Sequence, residues 1–209
     1  MAPRRLVRVL AAVIAPALLV PTLAPAAHAA ATPKVPSLAK VAKIYPHLEG
    51  GSFYENPTTK VYGPAKKCNK TKRVKGATGN SASYLEAGAT STTAAKPGVT
   101  VVAYRFPSPA KAKTYLKAAQ AKTKKCPSGG MATGSTKKAK LKKIKVGLGD
   151  QRWGYTVKVK LDSGTYISNM ILVRKGKSIV MTLVSSMDGK TPSVKKSIKL
   201  TKLTMTTAS

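Results

Sequence analysis

The chain has 209 residues, with 38 Lys and Arg against 6 Asp and Glu, a formal net charge of +32. Charge of this sign and size favours polyanionic partners and keeps a protein in solution by self-repulsion. With so few carboxylates and only 2 histidines, acid–base catalysis and metal ligation have little to draw on.

Arg4, Arg5 and Arg8 precede an apolar run over residues 9–23 (VLAAVIAPALLVPTL), and Ala27-His28-Ala29 follows as a small-x-small site. This order predicts a secretory signal peptide over residues 1–29, cleaved on export. As a membrane span the run is too short, about 15 residues against the ~20 a bilayer needs, and Pro16 and Pro21 interrupt it. No cysteine follows it to carry a lipid, and no later run has the length of a span. The mature product is therefore expected to be secreted or extracellular, without a transmembrane segment, and retained on the cell wall if its charge finds anionic polymer there. Losing three arginines takes the net charge from +32 to +29. Lysines dominate the remaining bases.

Residues 30–60 read as an N-terminal tether with a short helix, and residues 61–209 as the folded domain, long enough for one core. Pro33 and Pro36 open the tether. Over residues 37–45 Ser37 is placed as an N-cap, and Leu38, Val41, Ala42 and Tyr45 share one helical face until Pro46 ends it. Residues 48–56, with Gly50-Gly51, read as a loop. A basic cluster follows: Lys66, Lys67, Lys70, Lys72, Arg73 and Lys75. It is either a solvated loop or a patch for anionic polymer. Cys68 lies within it, and Cys126 is the second of two cysteines. In an exported protein this even count suggests one disulfide, contributing roughly 4 kcal/mol across so long a loop; two separate buried thiols are the alternative.

Residues 80–87 form a strand candidate, and residues 99–106 a stronger one that Pro107 stops. Ser108 caps the next helix, with Pro109 at its first position. Ala112, Tyr115, Leu116 and Ala119 make its apolar stripe, and Lys124 and Lys125 suit the negative end of its dipole. The second basic cluster is Lys137, Lys138, Lys140, Lys142, Lys143 and Lys145. It reads as a polymer-binding patch or as a charged edge strand that resists pairing. Leu141 and Ile144 break alternation there, so a strand needs a bulge, with a short helix as the other option.

Over residues 153–161 the odd positions are apolar and most of the even ones polar, a strand with one buried face. Residues 165–174 are apolar on both faces, hence a central strand, and residues 178–185 form another. Thr191 and Pro192 then read as N-cap and first position of a closing helix docked by Val194, Ile198, Leu200 and Leu203. The expected fold is α+β: a single antiparallel β-sheet of five or six strands, with helices packed mainly on one face.

The order just read is a strand ending in Phe106-Pro107-Ser108, an alanine-rich helix, Cys126, a meander of three antiparallel strands and a final helix. It resembles the PknH-like extracellular sensor domains of actinobacteria, found on receptor kinases and as secreted or lipid-anchored proteins. The resemblance runs from about Thr32 to the C-terminus. It implies a sheet with helices packed on it, a cleft for a ligand, no catalysis, and a structural role for Cys68 and Cys126. Those domains often carry two disulfides and a tryptophan just before the helix-end cysteine. Here one disulfide is the maximum, and the helix ends in lysines.

No catalytic set emerges. His47 is the one histidine after the leader and reads as a surface imidazole. Asp162 and Asp188 sit in turns that favour aspartate. The Ser-x-x-Lys pattern occurs at Ser37, Ser108, Ser135 and Ser193, but its Ser-Asp-Asn and Lys-Thr-Gly partners are missing. No Walker loop, dinucleotide fingerprint, zinc finger or RNP-type sequence occurs. Trp153, Tyr155 and Tyr166 could stack bases, but their alternating positions read as core. The expectation is a secreted, non-enzymatic binding or sensor-like domain without a cofactor and without sequence-specific nucleic-acid binding. A small apolar or lipid-like ligand would sit between sheet and helix near Tyr115, Trp153 or Tyr155. The alternative is a polycationic envelope protein held on anionic wall polymer by its two basic clusters.

Overall fold

The computed structural model describes residues 31–64, 71–89, 97–125, 139–161 and 164–209. The signal sequence, the expected disulfide of Cys68 and Cys126, and Lys66, Lys67, Lys70, Lys137 and Lys138 lie outside these residues. In chain order the elements are α1 (Leu38–Ala42), a 3-10 turn (Pro46–Leu48), β1 (Ser52–Thr58), β2 (Tyr62–Pro64), β3 (Thr71–Arg73), β4 (Thr78–Leu85) and β5 (Gly98–Arg105). Then come α2 (Pro109–Lys125), β6 (Lys140–Lys143), β7 (Gln151–Leu161), β8 (Gly164–Lys175), β9 (Ser178–Ser186) and α3 (Val194–Thr207).

The main sheet has seven strands in the order β1-β4-β5-β9-β8-β7-β6, and β2 and β3 form a separate two-stranded ribbon. Every strand pair is antiparallel. The expected count of five or six falls short because both edge strands were hard to read. β1 occupies part of the stretch read as a loop, pairing Ser52–Thr58 with β4. β6 is a regular edge strand that needs no bulge. Leu141 and Ile144, three residues apart, point to opposite faces of the sheet, and Ile144 packs into a buried cluster of its own.

The helices lie on both faces, which corrects the expectation of one. Successive residues of β9 show it. Ile179 packs with Ala112 and Leu116 of α2, whereas Val180 packs with the cluster that takes Val194, Ile198 and Met205 of α3. α2 covers β7, β8 and β9 from one side; α3 covers β5, β8 and β9 from the other. β8, apolar on both faces, can serve both helices, so its sequence does not decide between one layer and two.

The N-terminal segment is part of the core and not a tether. Val41, Tyr45 and Leu48 are buried with Tyr84, Val99, Val101, Val184 and Leu200 on the α3 side. Asn80 Nδ2 donates to the Pro33 carbonyl at 3.0 Å, and the Tyr84 hydroxyl donates to the Pro36 carbonyl. The α3 cap also shifts. Ser193, two residues beyond the expected Thr191, accepts from the Lys196 N–H at 3.3 Å.

Candidate functional site

The ribbon β2–β3 packs against the N-terminal half of α2, and a groove of about 420 Å³ opens between them. Local chemistry fixes both walls. Ser108 Oγ accepts from the Lys111 N–H at 3.3 Å and starts α2. The Val74 N–H donates to the Val61 carbonyl at 2.9 Å and carries the ribbon ladder one pair past Arg73. Between them stands Tyr115. Its ring centroid is 5.0 Å from Phe106 and 5.5 Å from Tyr104, and its hydroxyl donates to the Tyr62 carbonyl at 3.4 Å. Burial, and secondarily the neighbouring Tyr104, push the Tyr115 phenol well above its ordinary pKa, so it is held neutral as a donor. Gly63 is what lets the ring in. A Cβ on Gly63 would stand 3.1 Å from the ring and 3.4 Å from Val74.

The groove has both apolar and cationic walls. Pro64, Val74, Ala110, Tyr115 and Ala118 line it, and Lys72, Arg73, Lys75 and Lys111 surround it. No carboxylate is among its described lining residues.

Of the expected ligand residues, Tyr115 lines this groove, while Trp153 and Tyr155 lie elsewhere. They sit under α2 with their rings 5.6 Å apart, Trp153 buried among Leu116, Leu172 and Ile179. The layer between sheet and α2 is thus filled at that point by the protein's own side chains, and the open space is on the other flank of the helix. Three members of the first basic cluster, Lys72, Arg73 and Lys75, come to the groove. Lys140, Lys142, Lys143 and Lys145 line a different groove beside β6. The described residues of the two clusters therefore do not merge into one patch. Gly63, Thr114 and Ala118 drew no attention in the sequence. The signal available was the β-branched and glycine-bearing V-Y-G-P before the first cluster and T-K-R-V within it.

Three of the acid–base residues, His47, Asp150 and Asp188, are engaged structurally. His47, read as a surface imidazole, is half-buried, with Nε2 3.0 Å from the Pro97 carbonyl and its ring edge-on to Tyr45. Asp150 pairs with Arg174 at 3.2 Å and accepts from the Gly176 N–H at 2.8 Å, closing the β8–β9 turn. Asp188 accepts from Ser186 and from the Lys190 N–H, and these bonds, the serine first, hold its carboxyl below the usual range. Among the described residues no three His, Cys, Asp or Glu side chains cluster to hold a metal ion. Nor is any helix there long and apolar enough to cross a membrane.

No protein-family model matches the sequence, and no curated protein matches it. Among solved structures, the chain resembles the extracellular domain of PknH from Mycobacterium tuberculosis, with a TM-score of 0.46 and 10% identity over 82% of this chain and 91% of that one. It also resembles the Rv0999 ortholog from Mycobacterium smegmatis, with a TM-score of 0.43 and 10% identity over 82% of this chain and 96% of that one.

Proposed function

We propose that this chain is an exported, non-enzymatic binding domain whose ligand is a small amphiphilic anion held in the α2/β2–β3 groove. One observation carries the reading: apolar residues and four basic residues line one groove that has no described carboxylate. Its volume, about 420 Å³, falls within the roughly 300–1,000 Å³ of small-molecule sites. An alkyl or aryl body would displace water from Val74, Ala110, Ala118 and the Tyr115 ring, while a carboxylate or phosphate head would meet Lys72, Arg73, Lys75 or Lys111. The aliphatic stems of those side chains extend the apolar wall, and their charged ends stay hydrated at the rim.

The test is titration calorimetry with dodecyl phosphate and with dodecanol. Dodecyl phosphate is expected to bind and dodecanol to bind at least about tenfold more weakly, a difference of roughly 1.4 kcal/mol. Ala118→Trp fills the groove from a helix position and is expected to abolish binding while leaving the thermal melt in place. Unchanged binding by that variant would show that the groove is not the site. Equal affinity for the alcohol would show that the basic rim plays no part.

A further inference from the structure

The β6–β7 side of the sheet carries a second arrangement, independent of the α2 groove. In the register of this antiparallel pair Lys140 stands directly opposite Lys158. Like charges in that position repel. Lys142 and Lys160 lie two residues along from them, so all four lysines are exposed on the same face. Strand geometry sets their Cα atoms at about 6.8 Å along a strand and about 4.8 Å across. Protection of a sheet edge explains lysines on β6, the last strand. It does not explain Lys158, because β7 is paired on both sides.

Beside this lattice the surface falls into a groove of about 500 Å³ that runs to the start of α3. Ile144, Ile167 and Val194 contribute apolar surface to it, and Thr156 and Thr191 line it too. Among its described lining residues there is no carboxylate and no aromatic ring. We propose that this face binds a single extended polyanion without bases, a phosphodiester-linked polyol or sugar chain of the kind an exported protein meets in a cell wall. Repeating anions would relieve the Lys140–Lys158 repulsion. A concave channel suits one chain better than the flat surface of a bilayer. The missing aromatics remove the stacking platform on which single-stranded nucleic acid depends.

The experiment measures binding of poly(glycerol phosphate), poly(dT) and phosphatidylglycerol vesicles across a salt series. The proteins are the mature chain, the variant K140Q/K142Q/K158Q/K160Q, and a control, K113Q/K117Q/K199Q/K202Q, that removes equal charge elsewhere. The polyol phosphate is expected to bind most tightly. The β6–β7 variant is expected to flatten its log–log salt slope by about 3, since each neutralised phosphate contributes roughly 0.7–0.9, and the control to change it by less than about 1. The β6–β7 variant should melt no lower than the parent, because it loses a repulsion, and should still bind dodecyl phosphate in the α2 groove. An equal slope change in the control would overturn the proposal in favour of diffuse charge. Tighter binding of poly(dT) or vesicles through the same four lysines would overturn it in favour of that partner.

Discussion

The α3 side of the core contains a row of hydroxyls where a hydrophobic stripe was expected. Ser197, Leu200, Thr201 and Thr204 are the buried positions of the helix. Thr201 Oγ1 donates its one proton to the Ser197 carbonyl at 2.8 Å, so the Thr182 hydroxyl, 2.7 Å away, must be the donor to Thr201. Asn169 completes the seam: Nδ2 donates to the Pro192 carbonyl and Ser197 Oγ, and Oδ1 accepts from Thr156. Thr201→Val leaves the buried Thr182 proton without an acceptor and should cost about 2 kcal/mol. Thr182→Val added to it should recover most of that loss, because neither hydroxyl then remains to be satisfied. Urea melts of the single and double variants check the sign. The seam explains a limit of the hydrophobic pattern: of Val194, Ile198, Leu200 and Leu203, the docking face the sequence predicts, Leu200 is buried in the core while the other three pack at its margins. Hydrophobicity locates a helix face only when the partner surface is apolar, and here Thr182 and Asn169 are the partners. A second prediction concerns the tyrosines. Burial raises the Tyr45 phenol to about 12 and pushes Tyr84 and Tyr115 up as well. A raised folded-state pKa leaves stability intact below the ordinary value near 10 and removes it as pH climbs through the folded value. Thermal melts should therefore hold steady up to about pH 10 and fall steeply toward pH 12, with tyrosinate absorbance of the buried rings appearing together with unfolding.

Elements were legible in proportion to how much of their pairing is local. The meander β7–β8–β9 alternates or runs apolar and is closed by short turns, including Gly176 at φ 53°. Its bounds fall within two residues of those the sequence predicts. Ser108 and Pro109 marked the start of α2 correctly, and that placement brought Tyr115 to the groove. β1, β2 and β3 were not found. β1 is exposed along nearly its whole length and contains Pro57; β2 and β3 have three residues each. Such strands take their form from a partner and carry no period of their own. The groove depends on the ribbon, so it was invisible for the same reason. Because α1 packs against Tyr84 and Val99 and β1 pairs with the β4 strand that bears Tyr84, deleting residues 31–60 should expose that core. The expected outcome is loss of cooperative unfolding, read as the absence of a sigmoidal urea transition. A truncated chain that still melts sharply would return those residues to the role of a tether.

At the scale of the whole molecule, charge is the dominant fact. With a net +32 over 209 residues, the folded state concentrates like charges that the unfolded chain holds apart, so self-repulsion opposes compactness. Among the described residues Arg174 and Asp150 form an ion pair, against an excess of bases over acids of 38 to 6. Salt should therefore stabilise the chain, as screening lengths shrink from about 30 Å at 0.01 M to about 10 Å at 0.1 M. Melting temperature is expected to rise with sodium chloride over that range, and to rise less in K140Q/K142Q/K158Q/K160Q, which has less repulsion to screen. A flat profile in both would mean that the lysines are far enough apart in water to ignore one another.

Among the described residues the two end strands of the sheet are guarded by different means. β6 ends the sheet with lysines. β1 ends it with Pro57, which has no N–H to offer, beside the exposed rings of Phe53 and Tyr54. The proline guard is covalent and indifferent to buffer; the lysine guard fades as ions accumulate. A β6 edge meeting a second β6 edge would be a two-fold contact that closes on itself, the geometry of a dimer. The ions that steady each molecule also lower the barrier to stacking at one end of it. Concentrated, salty stocks of this protein should therefore pair through β6 before they unfold.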